Sequence, residues 1–404
     1  MLFLPTHACP PPLDTGILTM TRPSFYWIPS VFALWETIAH VQGYDAQWIN
    51  LLSRLVYDNV HTPEHVNLTS TQIEQVFCAG LRILDIPLAG SAPKVSSNPE
   101  GANAYDTFQS GRNDKTESFA IFIIYSIYPG NLGYNHNVVK ELGNLIQAID
   151  SYFHPSNSGH WSITITKFVK NLAWALLKRL REEELPDCKT PPQLRLTKEI
   201  VHDVVSTLRN VAYLSMFGKD QISVMYTHQA IKYLIHIEPD MILPGLLERV
   251  YPALETLTET HRTVSSISTM SSTVGAWVKH PEGSKHVLPL LLMALPGIDM
   301  NDPMKTVTTL MFISNTLLHI PLWDLTTIPS NGDLSDAESM IKYSTSSVGD
   351  FVAGFLDRLF AMFQNLPEEH LKGNDGNAET NLLAMALVCI FVFLLPLFLS
   401  FISL

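Results

Sequence analysis

A short leucine string, Leu243-Pro244-Gly245-Leu246-Leu247, returns 45 residues later as Leu288-Pro289-Leu290-Leu291-Leu292. A period of that size is the length of a unit made of two packed helices. Such a unit cannot bury its apolar face alone, so the period asks for a stack of neighbours with one continuous core. A proline opening a leucine-rich helix suits this reading. Its missing N–H is one of the unpaired donors of the first turn, and its φ is already helical. The repeat predicts a scaffold with Leu246, Leu247, Leu291 and Leu292 buried between neighbouring units.

Apolar periodicity extends the prediction along the chain. Residues 1–24 are Pro-rich without period and read as an irregular segment. A helix is expected from Pro29 over Val31, Leu34, Trp35 and Ile38, and another over Trp48, Leu51, Leu52 and Leu55. Residues 87–118 read as a long loop, and the apolar block Phe119–Tyr128 as helix because its neighbours are helical. From Lys167 to Arg181, Phe168, Val169, Leu172, Ala173, Leu176 and Leu180 share a face, with Lys170, Asn171, Lys178 and Arg181 opposite. Ile200, Val201, Val204, Val205, Leu208, Val211 and Ala212 repeat the pattern behind Thr197 as N-cap. Asn301 or Asp302 can cap a further helix with Pro303 at its first position. Val352, Phe355, Leu356, Leu359, Phe360 and Phe363 form the last stripe, with Asp357, Arg358, Gln364 and Asn365 facing away. Alternation of period two is scarce, Ser162–Thr166 being its best instance. The expected fold is all-α: helical repeats over 25–366, a polar linker over 367–381 and an apolar tail over 382–404.

The tail carries no charge from Leu382 to Leu404, with Pro396, Ser400 and Ser403 as interruptions. Its 23 residues could cross a hydrocarbon core of about 30 Å. A C-terminal membrane anchor is therefore one expectation, and a GPI signal, for which Gly373-Asn374-Asp375-Gly376-Asn377-Ala378 supplies the small polar approach, is another. The acidic approach through Glu368, Glu369, Asp375 and Glu379 suits an anionic leaflet poorly, which favours the misread end of a soluble repeat protein. A net charge of −12 without a basic stripe excludes sequence-independent nucleic-acid binding. Cys9, Cys78, Cys188 and Cys389 are scattered, which points to a reducing compartment rather than a disulfide framework.

Sites of bond chemistry are hard to find. His61-Thr62-Pro63-Glu64-His65 matches H-x-x-E-H, a zinc string that needs both imidazoles on one continuous helix, and Pro63 disrupts such a helix. His154, His160, His228, His261, His280 and His286 fall into no metal-ligand spacing. There is no G-x-S-x-G elbow, phosphate loop or dinucleotide fingerprint. Glu182-Glu183-Glu184 beside Arg179 and Arg181 reads as a solvated helix end, and Thr258–Thr263 as a turn between two helices of a repeat. No catalytic, metal or cofactor residue is assigned.

Several strings carry a resemblance. Glu238-Pro239-Asp240, Leu246-Leu247-Glu248-Arg249-Val250-Tyr251-Pro252, Thr258-Glu259-Thr260-His261-Arg262-Thr263 and Pro296-Gly297-Ile298-Asp299-Met300-Asn301-Asp302-Pro303-Met304-Lys305 resemble the middle HEAT-repeat region of the large single-chain proteasome activators. Phe153–Gly159, Arg181–Cys188 and Phe355–Phe360 resemble the fungal members. The resemblance runs from about Trp35 to Leu366. It implies a HEAT-like α-solenoid of antiparallel helix pairs. It also implies a dome over the 20S proteasome core particle that favours ubiquitin-independent degradation in nucleus and cytosol, without bond chemistry of its own. The family is several times longer, so this chain is expected to be an internal piece. The family docks through a C-terminal hydrophobic-Tyr-any motif, whereas this chain ends Phe401-Ile402-Ser403-Leu404. No docking, acetyl-lysine or inositol-phosphate residue is carried over.

Overall fold

The computed structural model describes residues 27–38, 44–87, 114–135, 137–157, 159–256, 259–299, 301–320 and 348–364, with residue 384 alone beyond them. The helices are α1 (Ile28–Ile38), α2 (Asp45–Asp58), α3 (Ser70–Ile83), α4 (Lys115–Tyr125), α5 (Val138–Ile149), α6 (His160–Glu184) and α7 (Lys198–Ser215). They continue as α8 (Gln221–Ile237), α9 (Pro239–Glu255), α10 (Thr260–Trp277), the single turn α11 (Pro281–Ser284), α12 (Val287–Ala294), α13 (Pro303–His319) and α14 (Val348–Gln364). No strand occurs among the described residues. The expectations for 1–24, 88–113, 367–381 and, Ala384 apart, 382–404 lie outside the described residues. None of the described helices is long and apolar enough to cross a membrane.

The chain divides into two compact units, residues 1–233 and 234–404. In the first, α2, α4 and α6 pack in succession as one layer, and α3, α5 and α7 as the other. In the second, α10 and α13 form one layer, and α9, α12 and α14 the other. Within each unit, then, helices alternate between two layers along the chain, the arrangement of a HEAT-like α-solenoid of antiparallel helix pairs.

Helix starts follow local chemistry. Thr69 and Gln72 form a reciprocal capping box at α3. The side chain of Asp114 accepts from Thr116 N at 3.1 Å and opens α4, so 115–118, expected as loop, are helical. Asp114 also meets Lys167 at 2.8 Å. Burial raises its pKa, but the bonds from Lys167 and Thr116 outweigh that and leave it below the usual range. Thr197 caps α7 through Ile200 N, and Asp302 caps α13 through Lys305 N at 3.0 Å, both as expected.

The best short case of period-two alternation, Ser162–Thr166, lies inside α6. Its alternation is accidental, since Thr166 Oγ1 donates to Ser162 O at 2.7 Å, a bond that only a helical turn allows. Pro239 opens α9, whereas Pro244 of the leucine string lies inside that helix. Leu246, Leu247 and Leu291 are buried, but Leu292 is 40% exposed. One residue turns a helix by about 100°, so Leu292 leaves the face that Leu288 and Leu291 share. The buried line of α14 is Phe351, Phe355, Leu359 and Met362. Phe360 is 56% exposed because the burying face is rotated by about one residue from the expected stripe.

Candidate functional site

The densest polar constellation among the described residues is built around Arg179, in the last two turns of α6. Its side chain is 1% exposed and its partner Glu183 only 8%. Arg179 Nε donates to Glu183 Oε1 at 2.7 Å, and Nη1 donates to the carbonyls of Ile124 and Ile127 at 2.6 and 2.8 Å. Those carbonyls lie at the C-terminal end of α4, where a helix has acceptors to spare and favours a cation. The second oxygen of Glu183 accepts from Leu196 N at 2.9 Å, just before α7. The guanidinium carbon stands 5.7 Å from the ring centre of Tyr125 and 5.6 Å from that of Tyr128. Beside it, Glu182 accepts from Tyr125 Oη at 2.5 Å and Tyr57 Oη at 3.2 Å. Burial first, and Glu182 second, push the Tyr125 pKa well above its ordinary value, while burial pushes Tyr128 up to about 12. Both phenols stay neutral donors at neutral pH.

This overturns the reading of Arg179 and Glu183 as a solvated helix end. The pair ties α4, α6 and the approach to α7 together, and Glu182 beside it reaches α2 through Tyr57. Its signal was the four-residue spacing of Arg179 and Glu183 on one helix face. Its burial had none, because the carbonyls that satisfy it lie more than fifty residues away. Asn171, expected opposite the apolar face, is likewise buried and donates to Thr116 Oγ1 at 2.9 Å.

The other sequence candidates are not brought together. Pro63 opens a four-residue 3-10 turn, Pro63–Val66, so His61 and His65 do not share a helix. His65 Nδ1 instead lies 3.4 Å from Asn59 Oδ1. His280 pairs with Asp240 at 2.9 Å and His286 with Tyr251 at 2.6 Å, each joining neighbouring helices of the second unit. His228 is buried, which lowers its pKa to about 4. No group of three or more His, Cys, Asp or Glu able to hold a metal occurs among the described residues. Between α9 and α10, Thr258 is outside the described residues, while Thr263 Oγ1 donates to Ala253 O at 2.9 Å and ties the two helices. The turn expected over Thr258–Thr263 is thus shorter than that span, because Thr260–Thr263 already form the first turn of α10.

One small cleft opens in the first unit between the turns after α5 and α7, lined by His154, Asn157, Ser162, Lys219, Asp220 and Ser223 among others. Its interior has room for about one water and not for an organic substrate. Ser162 and Ser223 hydroxyls meet at 3.1 Å, and Asp220 caps α8 through Ser223 N at 2.7 Å. These groups are engaged in joining helices. What the geometry offers throughout is rigid coupling of helix pairs.

Comparison with known proteins gives that scaffold a family. Residues 142–334 match the family described as the mid HEAT repeats region of proteasome activator complex subunit 4. Proteasome activator complex subunit 4 of Xenopus laevis is 31% identical over 375 residues, covering 90% of this chain. The Homo sapiens protein of the same name is 30% identical over 375 residues, again 90% of this chain. The chain belongs to the proteasome activator subunit 4 family. It spans 19% of the length of either relative. The likeness extends to proteasome activator BLM10 of Saccharomyces cerevisiae, 25% identical over 206 residues, which is 50% of this chain and 10% of that protein. The matched stretch 142–334 contains Arg179, Glu183 and both leucine strings.

Proposed function

We infer that this chain is a non-enzymatic scaffold segment of a proteasome activator. It contributes stacked helix pairs to a cap on the 20S core particle, and so promotes ubiquitin-independent degradation in nucleus and cytosol. The observation that carries the reading is the match of residues 142–334 to the mid HEAT-repeat region of that family. The buried ion pair of Arg179 and Glu183 supports it physically. A cap must hold its curvature against a partner, and a buried ion pair on α6 locked to carbonyls at the end of α4 and to the amide of Leu196 before α7 fixes the relative placement of those elements.

The test is a chimera in which this chain replaces the corresponding region of a full-length relative. Fluorogenic-peptide hydrolysis by latent 20S proteasome should rise several-fold with the chimera. The isolated chain should hydrolyse no peptide and stimulate little or not at all. A folded chimera without stimulation, or peptide hydrolysis by the chain alone, would overturn the reading.

A further inference from the structure

The single turn α11 is joined to α9 at both of its ends, each time through a histidine. His280, just before α11, places Nε2 2.9 Å from Asp240 Oδ1 at the start of α9. His286, between α11 and α12, places Nδ1 2.6 Å from Tyr251 Oη, three turns further along α9. The rings of Tyr251 and His286 meet edge-on, with centres 5.6 Å apart. Water reaches part of both histidines, whose side chains are 19% and 27% exposed.

A proton acts differently on the two bonds. Asp240 can only accept, and His280 Nε2–H donates to it whether the ring is neutral or charged. At the other end, Nε2 of His286 stands 3.9 Å from Glu282 Oε1. That carboxylate draws the ring proton to Nε2 and leaves Nδ1 as acceptor for the Tyr251 hydroxyl. Burial raises the Tyr251 pKa, so the phenol remains a donor. A proton on His286 Nδ1 sets a donor against this donor, and the phenol has to turn away.

Burial holds the His286 pKa below its ordinary value, while Glu282 pulls it up and Lys285 pushes it down. Lys285 also meets Glu282 at 2.6 Å, which limits what that carboxylate offers the ring. Glu282 and Lys285 are the charged groups that act on His286 among the described residues. Helix α9 presents Tyr251, and α13 and α14, which also pack on α12, add none.

We propose that this joint is an acid-operated latch: a proton on His286 releases Tyr251 and the start of α12 from α9, while the bond of His280 to Asp240 keeps α11 in place as the pivot. Gly283 suits a tight pivot, because a Cβ there would overlap the carbonyl of Trp277 at the end of α10. The latch is closed above pH 6.5, the ordinary histidine value, and opens as pH falls below it. The opened joint takes up a proton that the closed joint holds off.

Hydrogen exchange of the unaltered full chain at pH 7.0 and 5.5 tests the latch, with labelling times scaled to the chemical rate at each pH. Protection over residues 286–296 should fall about five-fold at pH 5.5 relative to α10, within the roughly tenfold that one histidine supplies one unit below its ordinary pKa. Protection over residues 278–284 should hold. Equal protection of 286–296 at both pH values, or an equal fall in the two segments, overturns the proposal. In H286N, whose amide oxygen accepts from Tyr251 without titrating, the response should vanish. In H280Q, which still donates to Asp240, it should persist. A response kept in H286N or lost in H280Q overturns the assignment. Y251F should show the lower protection already at pH 7.0, and protection as high as in the unaltered chain there overturns it too.

Discussion

One interface in each unit shows two different ways of holding helices together. The first joins α4, α6 and α7 through long side chains at helix ends, with Arg179 and Glu183 fully committed and Tyr125 and Tyr128 stacked beside them. The second joins α10 and α13 through small residues. Thr269, Thr273, Thr309 and Thr316 are buried, and each returns its hydroxyl to a carbonyl four residues back at 2.7–2.8 Å. Such hydroxyls need no partner on the facing helix, so they are buried alongside the larger apolar side chains of α10 and α13. Between them, Asn315 Nδ2 donates to Ser271 Oγ at 2.8 Å. A Cβ added at Gly275 would stand 3.1 Å from His319 Nε2. One interface is specified by a few distant partners, the other by hydroxyls satisfied within their own helices. Damage should therefore be concentrated in the first and spread over many positions in the second.

The sharpest test of that contrast is Arg179→Ala, which leaves Glu183 buried without its cation. It should lower unfolding free energy by about 3–5 kcal/mol in urea titration. Arg179→Lys should recover only part of this, because an ammonium cannot serve Glu183 and two carbonyls in one plane. A loss under 1 kcal/mol on truncation would erase the distinction between the units.

In the second unit, the two leucine strings give an internal control. Leu247→Ala and Leu291→Ala should each cost about 2–5 kcal/mol, whereas Leu292→Ala should stay within about 0.5 kcal/mol. Equal losses at Leu291 and Leu292 would mean that the exposed position is covered.

Acid should act on the first unit through His228. Its pKa is lowered to about 4 by burial, so between pH 6.5 and 4 the unfolded chain holds a proton that the folded chain lacks. This contribution is complete above pH 6.5 and is lost as pH falls toward 4, on the order of 3 kcal/mol. In His228→Gln the slope of stability against pH should flatten over that window. An unchanged slope would assign the acid sensitivity elsewhere.

The smallest expected effect is Ser266→Ala. Ser266 is fully buried and its hydroxyl has no hydrogen-bond partner. Removing it should leave stability unchanged or raise it by about 1 kcal/mol, measured by thermal unfolding. A clear loss would show that α10 depends on specific polar pairing after all.

By itself the sequence determined what short-range chemistry controls. Thr197 and Asp302 start their helices because a side-chain oxygen reaches an amide three residues on. The apolar faces of α6 and α7 follow from their period, and the leucine strings mark repeating helix pairs. Only the tertiary structure decided which of two adjacent apolar residues faces the core, as with Leu291 against Leu292, and which line of α14 is covered. A shift of one residue leaves composition and period unchanged while turning the side chain by about 100°. It also decided that Arg179 and Glu183 are buried rather than solvated. A charge enters a core only where its desolvation is offset by partners, and those partners are carbonyls on another helix, brought within 3 Å by the packing of α4 on α6.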